Sequence, residues 1–405
     1  MSGHRTTQAP PQPRAAPPGF DPAVIEPPPL RERRWPVEAL ALDVSGRCNL
    51  ACRYCAEAAT QPRRRPAMER EILDRAVAWL GEGARSGGSI RLGSGEPLLA
   101  GGLLRGLAGR LAAARRAGAP APEVFLTTNG TRLDAATREW LVESGWHVKV
   151  SLDGPPAIHD RWRVTARGRP TWRQAAAAVR DLAARIPARF SVTAVLCRGA
   201  APAEVFDAIA ALGVRRIELV PVGHPDPDVL PDAADVVRYR DFVDDYVARY
   251  AADPAGVPEL VKVINAARRV MGYDVKRVTC GAGRNFLGVG PDGGLYPCFR
   301  FIGVDAYRIG HIAAGVDQVA AERFRQAGGR PYDQREPCRA CWAAPLCGGP
   351  CFAEAELLGP GGGAPFALHC DYVRADAAGA FALVERLRAR DPERLLDLLA
   401  GFIDF

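Results

Sequence analysis

Between Glu38 and about Val222 the hydrophobic positions follow two alternating rhythms. Short β-rich runs occur at Ala39–Val44, Ser89–Leu92, Val124–Thr127, His147–Ser151, Arg189–Leu196 and Arg216–Val220. Between them apolar residues return at helical spacing. One such stretch carries Leu133, Ala136, Trp140 and Ser144; another carries Trp172, Ala175, Val179, Leu182 and Ile186, with Thr171 at the N-cap position. Six strand–helix units in series predict an α/β fold whose parallel sheet curls into a partial (β/α)6 barrel. A doubly wound open sheet is the second choice from the pattern alone. The helical rhythm returns from Asp235 to about Gly272. From Lys276 to about Tyr372 the chain turns Gly-, Pro- and Cys-rich with little periodicity, as expected of a small domain folded around metal, and helices resume at Val373. The expected division is a disordered Pro/Arg-rich tail over 1–36, a barrel with a helical extension over 37–272, a cysteine-rich domain over 273–375, and C-terminal helices over 376–405. There are no internal repeats.

In parallel α/β architectures, functional groups collect at the C-terminal ends of strands. Four suggestive segments stand there. A cysteine loop follows the first strand, Gly93–Pro97 the second, Thr128–Gly130 the third and Ser151–Gly154 the fourth. Their convergence on one rim weighs more than any one of them, because Asn129-Gly130 and Asp153-Gly154 alone are ordinary turn dipeptides.

Composition narrows the class. A 405-residue chain that is 48% hydrophobic can bury a large core. No run approaches the length of a membrane span without a charge. The first 36 residues lack the apolar stretch of a signal peptide, so the expected location is the cytoplasm. The net charge of +7 owes much to Arg5, Arg14, Arg31, Arg33, Arg34, Arg63, Arg64 and Arg65. A solvated surface explains it, with a steering patch for an acidic peptide as the sharper alternative. Nucleic acid is disfavoured because no basic–aromatic interleaving occurs.

Ten of the eleven cysteines fall in two places, Cys48–Cys55 and Cys280–Cys370. Without a secretory signal, such clustering points to metal rather than disulfides. The first group reads Cys48-x3-Cys52-x2-Cys55. Three thiolates ligate three irons of a [4Fe–4S] cube and leave the fourth open to another ligand. A zinc site would need a fourth ligand, yet no Cys or His lies within thirty residues on either side. Cys197, alone in a strand, reads as a small core residue.

This spacing, with Tyr54 before the last cysteine, resembles the signature of the radical S-adenosylmethionine (SAM) superfamily. Ser94-Gly95-Glu96-Pro97 is similar to that family's GGEP segment, whose backbone contacts the SAM amino group; Ser94 replaces the first Gly. Thr128-Asn129-Gly130 and Ser151-Leu152-Asp153-Gly154-Pro155, followed by His159-Asp160 and Arg163, resemble the peptide-modifying branch. The resemblance implies that Tyr54, Ser94, Gly95, Glu96, Pro97, Asn129, Ser151, Asp153 and Arg163 form the cofactor pocket. Ser151 would contact the SAM ribose and Arg163 the methionine carboxylate. His159 stands between a loop-packing hydrogen bond and a site role. The implied chemistry is reductive cleavage of SAM to a 5′-deoxyadenosyl radical, which takes a hydrogen atom from an unactivated carbon.

The second group reads Cys280-x12-Gly293-x4-Cys298, then Cys338-x2-Cys341-x5-Cys347-x3-Cys351, then Cys370. It resembles the seven-cysteine SPASM domain, which implies two auxiliary clusters and three iron–sulfur clusters in all, each expected to be [4Fe–4S]. By that resemblance Cys338, Cys341, Cys347 and Cys370 close one auxiliary cluster, while Cys280, Cys298 and Cys351 hold the other. A zinc-ribbon reading of Cys338–Cys351 divides seven cysteines poorly into tetrahedral sites. Sulfatase maturases add a Cys where this chain has Phe286 and an Asp base where it has Phe299, so both departures point away from sulfatase maturation. The surrounding segment instead resembles thioether-forming peptide maturases, including those that mature quinohaemoprotein amine dehydrogenases. The expectation is therefore an enzyme that installs Cys-derived thioethers in a Cys-containing peptide or small protein. Its expected partners are a flavodoxin- or ferredoxin-type reductant and a separate leader-peptide-binding protein. Carbon–carbon or carbon–oxygen crosslinking is the nearest alternative. A non-catalytic iron–sulfur electron carrier is the alternative from another class, and it leaves the open-site cysteine trio unexplained.

Overall fold

The computed structural model describes residues 15–18, 37–60, 65–83, 88–272, 275–359 and 364–400. The expected disordered tail over 1–36 lies outside the described residues apart from 15–18. Six parallel strands form the centre: β1 (Ala39–Leu42), β2 (Ser89–Leu92), β3 (Glu123–Thr128), β4 (His147–Ser151), β5 (Phe190–Leu196) and β6 (Arg216–Pro221). Helices α1 (Ala56–Thr60) and α2 (Arg70–Gly83) follow β1, α3 (Gly101–Arg116) follows β2, and α4 (Ala135–Ser144) follows β3. After β4 come α5 (Pro156–Trp162) and α6 (Trp172–Arg185), and after β5 comes α7 (Pro202–Ala210). Strand order runs sequentially from β1 to β6 with every neighbour parallel. A doubly wound sheet would reverse order at a switch point. This one never reverses, so the partial barrel is the architecture.

Beyond β6 lie α8 (Ala233–Ala252), β7 (Glu259–Leu260) and α9 (Val261–Gly272). The sheet also grows from its other edge. β8 (Phe286–Val289) pairs in parallel with β1, and β9 (Gly294–Tyr296), β10 (Gly310–His311) and β11 (Gly315–Val316) follow antiparallel. Helices α10 (Gln318–Ala327), α11 (Ala344–Cys347) and α12 (Phe352–Leu357) carry the chain through the cysteine-rich region to α13 (Ala367–Arg390) and α14 (Pro392–Ala400). The cysteine-rich region is thus continuous with the barrel sheet, and α13 runs through residue 375, where the sequence suggested a boundary. No helix among the described residues is long and apolar enough to cross a membrane.

Alternation within the strands sorts the two faces. Ile90, Leu92, Val124, Leu126, Val148 and Val150 are fully buried under the helices, each contributing about 1.5–3 kcal/mol. Arg91, Phe125 and His147 occupy the opposite face in register. The Arg91 guanidinium lies 5.0 Å from the Phe125 ring, which stacks on His147 at 4.6 Å. The barrel lumen is therefore half-buried and polar.

One sequence expectation needs correction, and a second holds in position but not in mechanism. Leu133 precedes α4, because Asp134 caps that helix by accepting from Thr137 N at 2.8 Å. Thr171 stands at the N-cap of α6, but its side chain does not cap. Asp160 does so instead, accepting from Thr171 N at 2.7 Å and Trp172 N at 2.8 Å.

The loop after β4 is fixed by Gly154 at φ +87, where an added Cβ would stand 2.9 Å from the Val205 backbone. Gly154→Ala should therefore cost about 1–3 kcal/mol of stability through backbone strain, read as a lowered urea midpoint.

Candidate active site

The cysteine loop has little regular structure and takes its shape from three anchors. Asp43 Oδ1 accepts from Gly46 N at 2.9 Å, while its Oδ2 pairs with Arg65 at 2.5 Å. Gly46, at φ +64, packs so closely that a Cβ would meet Pro66 O at 2.3 Å. Further on, Ala51 N and Arg53 N donate to the carbonyls of Val164 and Trp162 at 2.8 and 3.0 Å. The loop is thereby laid along the segment that carries Arg163. Cys48, Cys52 and Cys55 sit close enough to act electrostatically on one another. Burial pushes the Cys48 thiol up to about 12 and the Cys52 thiol up to about 11. Such groups become thiolates readily only beside a cation, which iron would supply. This donor set suits an iron–sulfur cluster with three protein ligands.

Glu96 ties the second and third loops together. Fully buried, it accepts from Asn129 N at 2.7 Å, Thr128 Oγ1 at 2.8 Å and Leu98 N at 3.0 Å. Pro97 opens the short 3-10 turn that Glu96 caps. The side chain of Glu96 is thus occupied by the protein. Gly95 N donates to Glu57 Oε2 at 2.8 Å. Glu57 was missed in the sequence. It is a lone acid two residues after Cys55, and burial raises its pKa. Asn129 is more than a turn residue: its Nδ2 donates to Asn49 Oδ1 at 2.9 Å and lies 3.7 Å from Cys48 Sγ.

Asp153 is the hub of the fourth loop. Its Oδ2 accepts from Tyr54 Oη at 2.5 Å and Arg163 Nε at 2.9 Å, and its Oδ1 accepts from Val195 N at 3.0 Å. The Arg163 guanidinium also lies 5.3 Å from the Tyr54 ring centre. Burial works against the charge on Arg163, yet Asp153, Tyr54 and Cys52 hold its pKa above the ordinary value. Asp153 therefore positions Tyr54 and Arg163, and Arg163 commits its Nε to that pair. Ser151 ends β4 on the buried side of the rim.

His159 resolves to packing. Its Nδ1 accepts from Asp153 N at 3.2 Å, and its Nε2 faces Thr171 Oγ1 at 3.0 Å. That hydroxyl donates to Arg163 O at 2.7 Å, so the neutral ring must carry its proton on Nε2. Burial lowers its pKa from 6.5 to about 4.

The remaining cysteines sort into two sets. Cys280, Cys298 and Cys351 act on one another electrostatically, and so do Cys338, Cys341, Cys347 and Cys370. Burial pushes Cys347 up to about 11 and Cys370 up to about 12. Among the described residues, no three His, Cys, Asp or Glu side chains converge on a single-ion site; a cluster instead takes thiolates spread around its corners. Phe286 and Phe299 pack with Phe301, Phe324 and Phe352 beside Cys298. The three-thiol set thus borders an apolar wall. Half-buried Arg300 lies within electrostatic reach of Cys351, Glu354, Cys298 and Glu57, linking this set to the first rim. Cys197 is a core residue beside Tyr54 and Trp162. A cavity of about 370 Å³ separates β4 and β6 from the four-thiol set and α13.

These features define a class. Residues 42–212 match the Radical SAM superfamily, and the chain is a radical SAM enzyme, of the class that uses SAM and a [4Fe–4S] cluster. It is 26% identical to the serine-type anaerobic sulfatase-maturating enzyme of Klebsiella aerogenes, over 80% of this chain and 82% of that protein. Among solved structures, the anaerobic sulfatase-maturating enzyme anSMEcpe with bound AdoMet superposes with a TM-score of 0.72 at 19% identity, covering 90% of this chain and 99% of that one. Streptococcus suis SuiB bound to its precursor peptide SuiA gives 0.55 at 16% identity, covering 82% and 75%.

His159 supplies a test of this packing. The unfolded chain takes up a proton near pH 6.5 that the folded chain refuses until about pH 4. Folding stability should therefore fall as pH drops through that window, by up to about 3 kcal/mol from this residue. Urea midpoints measured between pH 7 and 4 should show the fall, with a shallower slope in His159→Gln.

Proposed function

We propose that this enzyme modifies a peptide or small protein and builds Cys-derived thioether crosslinks in it. Cys48, Cys52 and Cys55 would hold the cluster at which SAM is cleaved, with Glu96, Asn129 and Asp153 fixing the loops around it, and Ser151 and Arg163 facing the SAM ribose and carboxylate. Cys338, Cys341, Cys347 and Cys370 would hold one auxiliary cluster, and Cys280, Cys298 and Cys351 the other. When bound, cluster and SAM supply a 5′-deoxyadenosyl radical that removes a hydrogen atom from the substrate. A peptide substrate is supported by the relatives, one named as a sulfatase-maturating enzyme and another crystallised with its precursor peptide.

The observation that carries the thioether reading is the three-thiol set with Phe286 beside it. A cluster held there by three cysteines keeps one iron open, and iron favours a deprotonated sulfur as its next ligand. A substrate thiolate is the natural occupant. Phe299 offers no proton acceptor, which sets this site apart from sulfatase maturation. A flavodoxin- or ferredoxin-type reductant would deliver the first electron, and a separate protein would grip a leader peptide.

The anaerobically reconstituted enzyme should bind about twelve irons if three [4Fe–4S] clusters form. Joint replacement of Cys48, Cys52 and Cys55 by Ala should remove about four of them and all 5′-deoxyadenosine formation. The reaction itself is read by mass spectrometry on candidate peptides translated from the open reading frames next to this gene. Each bond should remove about 2 Da and one alkylatable thiol. Cys280→Ala should abolish that product while SAM cleavage continues. A product lighter by two hydrogens with every thiol intact would refute the thioether and favour carbon–carbon crosslinking.

A further inference from the structure

The cavity beside the four-thiol set contains a carboxyl group that none of the roles above uses. Asp376, on α13, lines this space of about 370 Å³, and Lys149 of β4, Glu218 of β6 and Lys262 of α9 line it too. Lys149 precedes Ser151 by two residues, so both side chains leave β4 on the same face, about 7 Å apart at the usual strand rise. The cavity therefore reaches the barrel lumen just below the strand end assigned to SAM.

Three carboxylates line the cavity, and two are tied to basic side chains. Glu218 binds Lys149 Nζ at 2.8 Å and Lys262 Nζ at 3.1 Å. Glu354 meets His369 Nδ1 at 3.1 Å, and the other ring nitrogen of His369 is engaged with Val222 O at 2.8 Å. Asp376 differs, because its hydrogen-bond donor is the neutral hydroxyl of Tyr239 at 2.7 Å, from α8. Tyr372, one turn earlier on α13, packs against Tyr239 with tilted rings whose centres lie 4.7 Å apart.

We propose that Asp376 is the proton-accepting residue of the modification reaction. Removing two hydrogens from a substrate leaves a definite balance. The adenosyl radical takes one hydrogen as an atom from carbon. The S–H bond breaks when the substrate thiol binds as a thiolate, which releases one proton, and the thiolate then joins the carbon radical with release of one electron. The electron passes to an iron–sulfur acceptor, and the proton to the Asp376 carboxylate and on to solvent. Phe299 cannot take it, and Glu218 is held as an anion by two lysines. Burial pushes Asp376 up to about 7, with the Tyr239 hydrogen bond and Lys262 working the other way and Glu218 adding to the rise. An acceptor near neutrality suits general base catalysis.

The proposal rests on the reading that the substrate loses two hydrogens, and the two can fail separately. The holoenzyme and its Asp376→Asn, Asp376→Glu and Tyr239→Phe variants would be incubated with SAM, reductant and the candidate peptide that the wild type modifies, counting 5′-deoxyadenosine and modified product together. Asp376→Asn should lose product at least about 100-fold, the lower range for a general base, with SAM cleavage within about twofold and iron content unchanged. Asp376→Glu should recover part of it. Wild-type product formation should fall as pH drops below about 7. Tyr239→Phe should move that fall to higher pH, since the lost hydrogen bond favoured the carboxylate. A second readout needs no turnover: the carbonyl band of a protonated carboxylic acid, followed by pH-difference infrared spectroscopy of the substrate-free holoenzyme, should be lost in Asp376→Asn. Product at the wild-type rate in Asp376→Asn, or an unmoved acid limb in Tyr239→Phe, overturns the proposal. Failure of the underlying reading shows instead in the wild type, as SAM cleavage without any substrate lighter by two hydrogens.

Discussion

A buried carboxylate must have its lone pairs filled, and this requirement shapes the whole rim. Asp43, Glu96 and Asp153 are each fully buried at or just beyond a strand end. Leaving any of them unpartnered would cost several kcal/mol. Asp43 is filled by Arg65 and the Gly46 amide, Glu96 by two amides and a hydroxyl, Asp153 by Arg163, Tyr54 and the Val195 amide. Most of these partners come from another loop or strand. Satisfying three acids therefore forces four loops into one arrangement, and the cysteine trio inherits its position from them.

The parts of this design that follow a period were legible in the sequence. β2 and β4 occupy the residues their alternation indicated, and the sequential strand order agrees with the strand–helix series. The loop motifs were legible because glycines, acids and cysteines recur there at fixed offsets. What escaped was tertiary. Thr171 looks like a cap by local rules, but Asp160, eleven residues earlier, reaches those amides first. Glu57 has no periodic partner and acquires meaning only when Gly95 closes onto it. Asp376 sits in a helix whose heptads give no hint that one turn faces a polar cavity.

The lumen shows the same logic with charges of both signs. Glu218 lies between Lys149 and Lys262, and the two ammonium groups pull its pKa below the usual carboxylate range despite burial. These paired charges from β4, β6 and α9 keep the inner face ionic, while the outer face of the same strands is closed by Leu, Val and Ile. A sheet built this way cannot collapse on itself. Its interior remains a place where a polar chain can lie against strands β4 to β6.

The separation of the two later thiol sets depends on one reversal of the backbone. Cys347 and Cys351 are four residues apart, yet their sulfurs face different neighbours. Between them α11 ends at Gly348 and Gly349, with φ +77 and +100. A Cβ on Gly348 would lie 2.5 Å from the Val278 backbone, so both the conformation and the approach require glycine there. The turn sends Cys351 away from Cys347, to the start of α12, where the chain heads back toward Cys298 and the aromatic wall of Phe301, Phe324 and Phe352. A bulkier residue at 348 would strain this turn and press on the Val278 backbone, disturbing the reversal that keeps the two sulfurs apart.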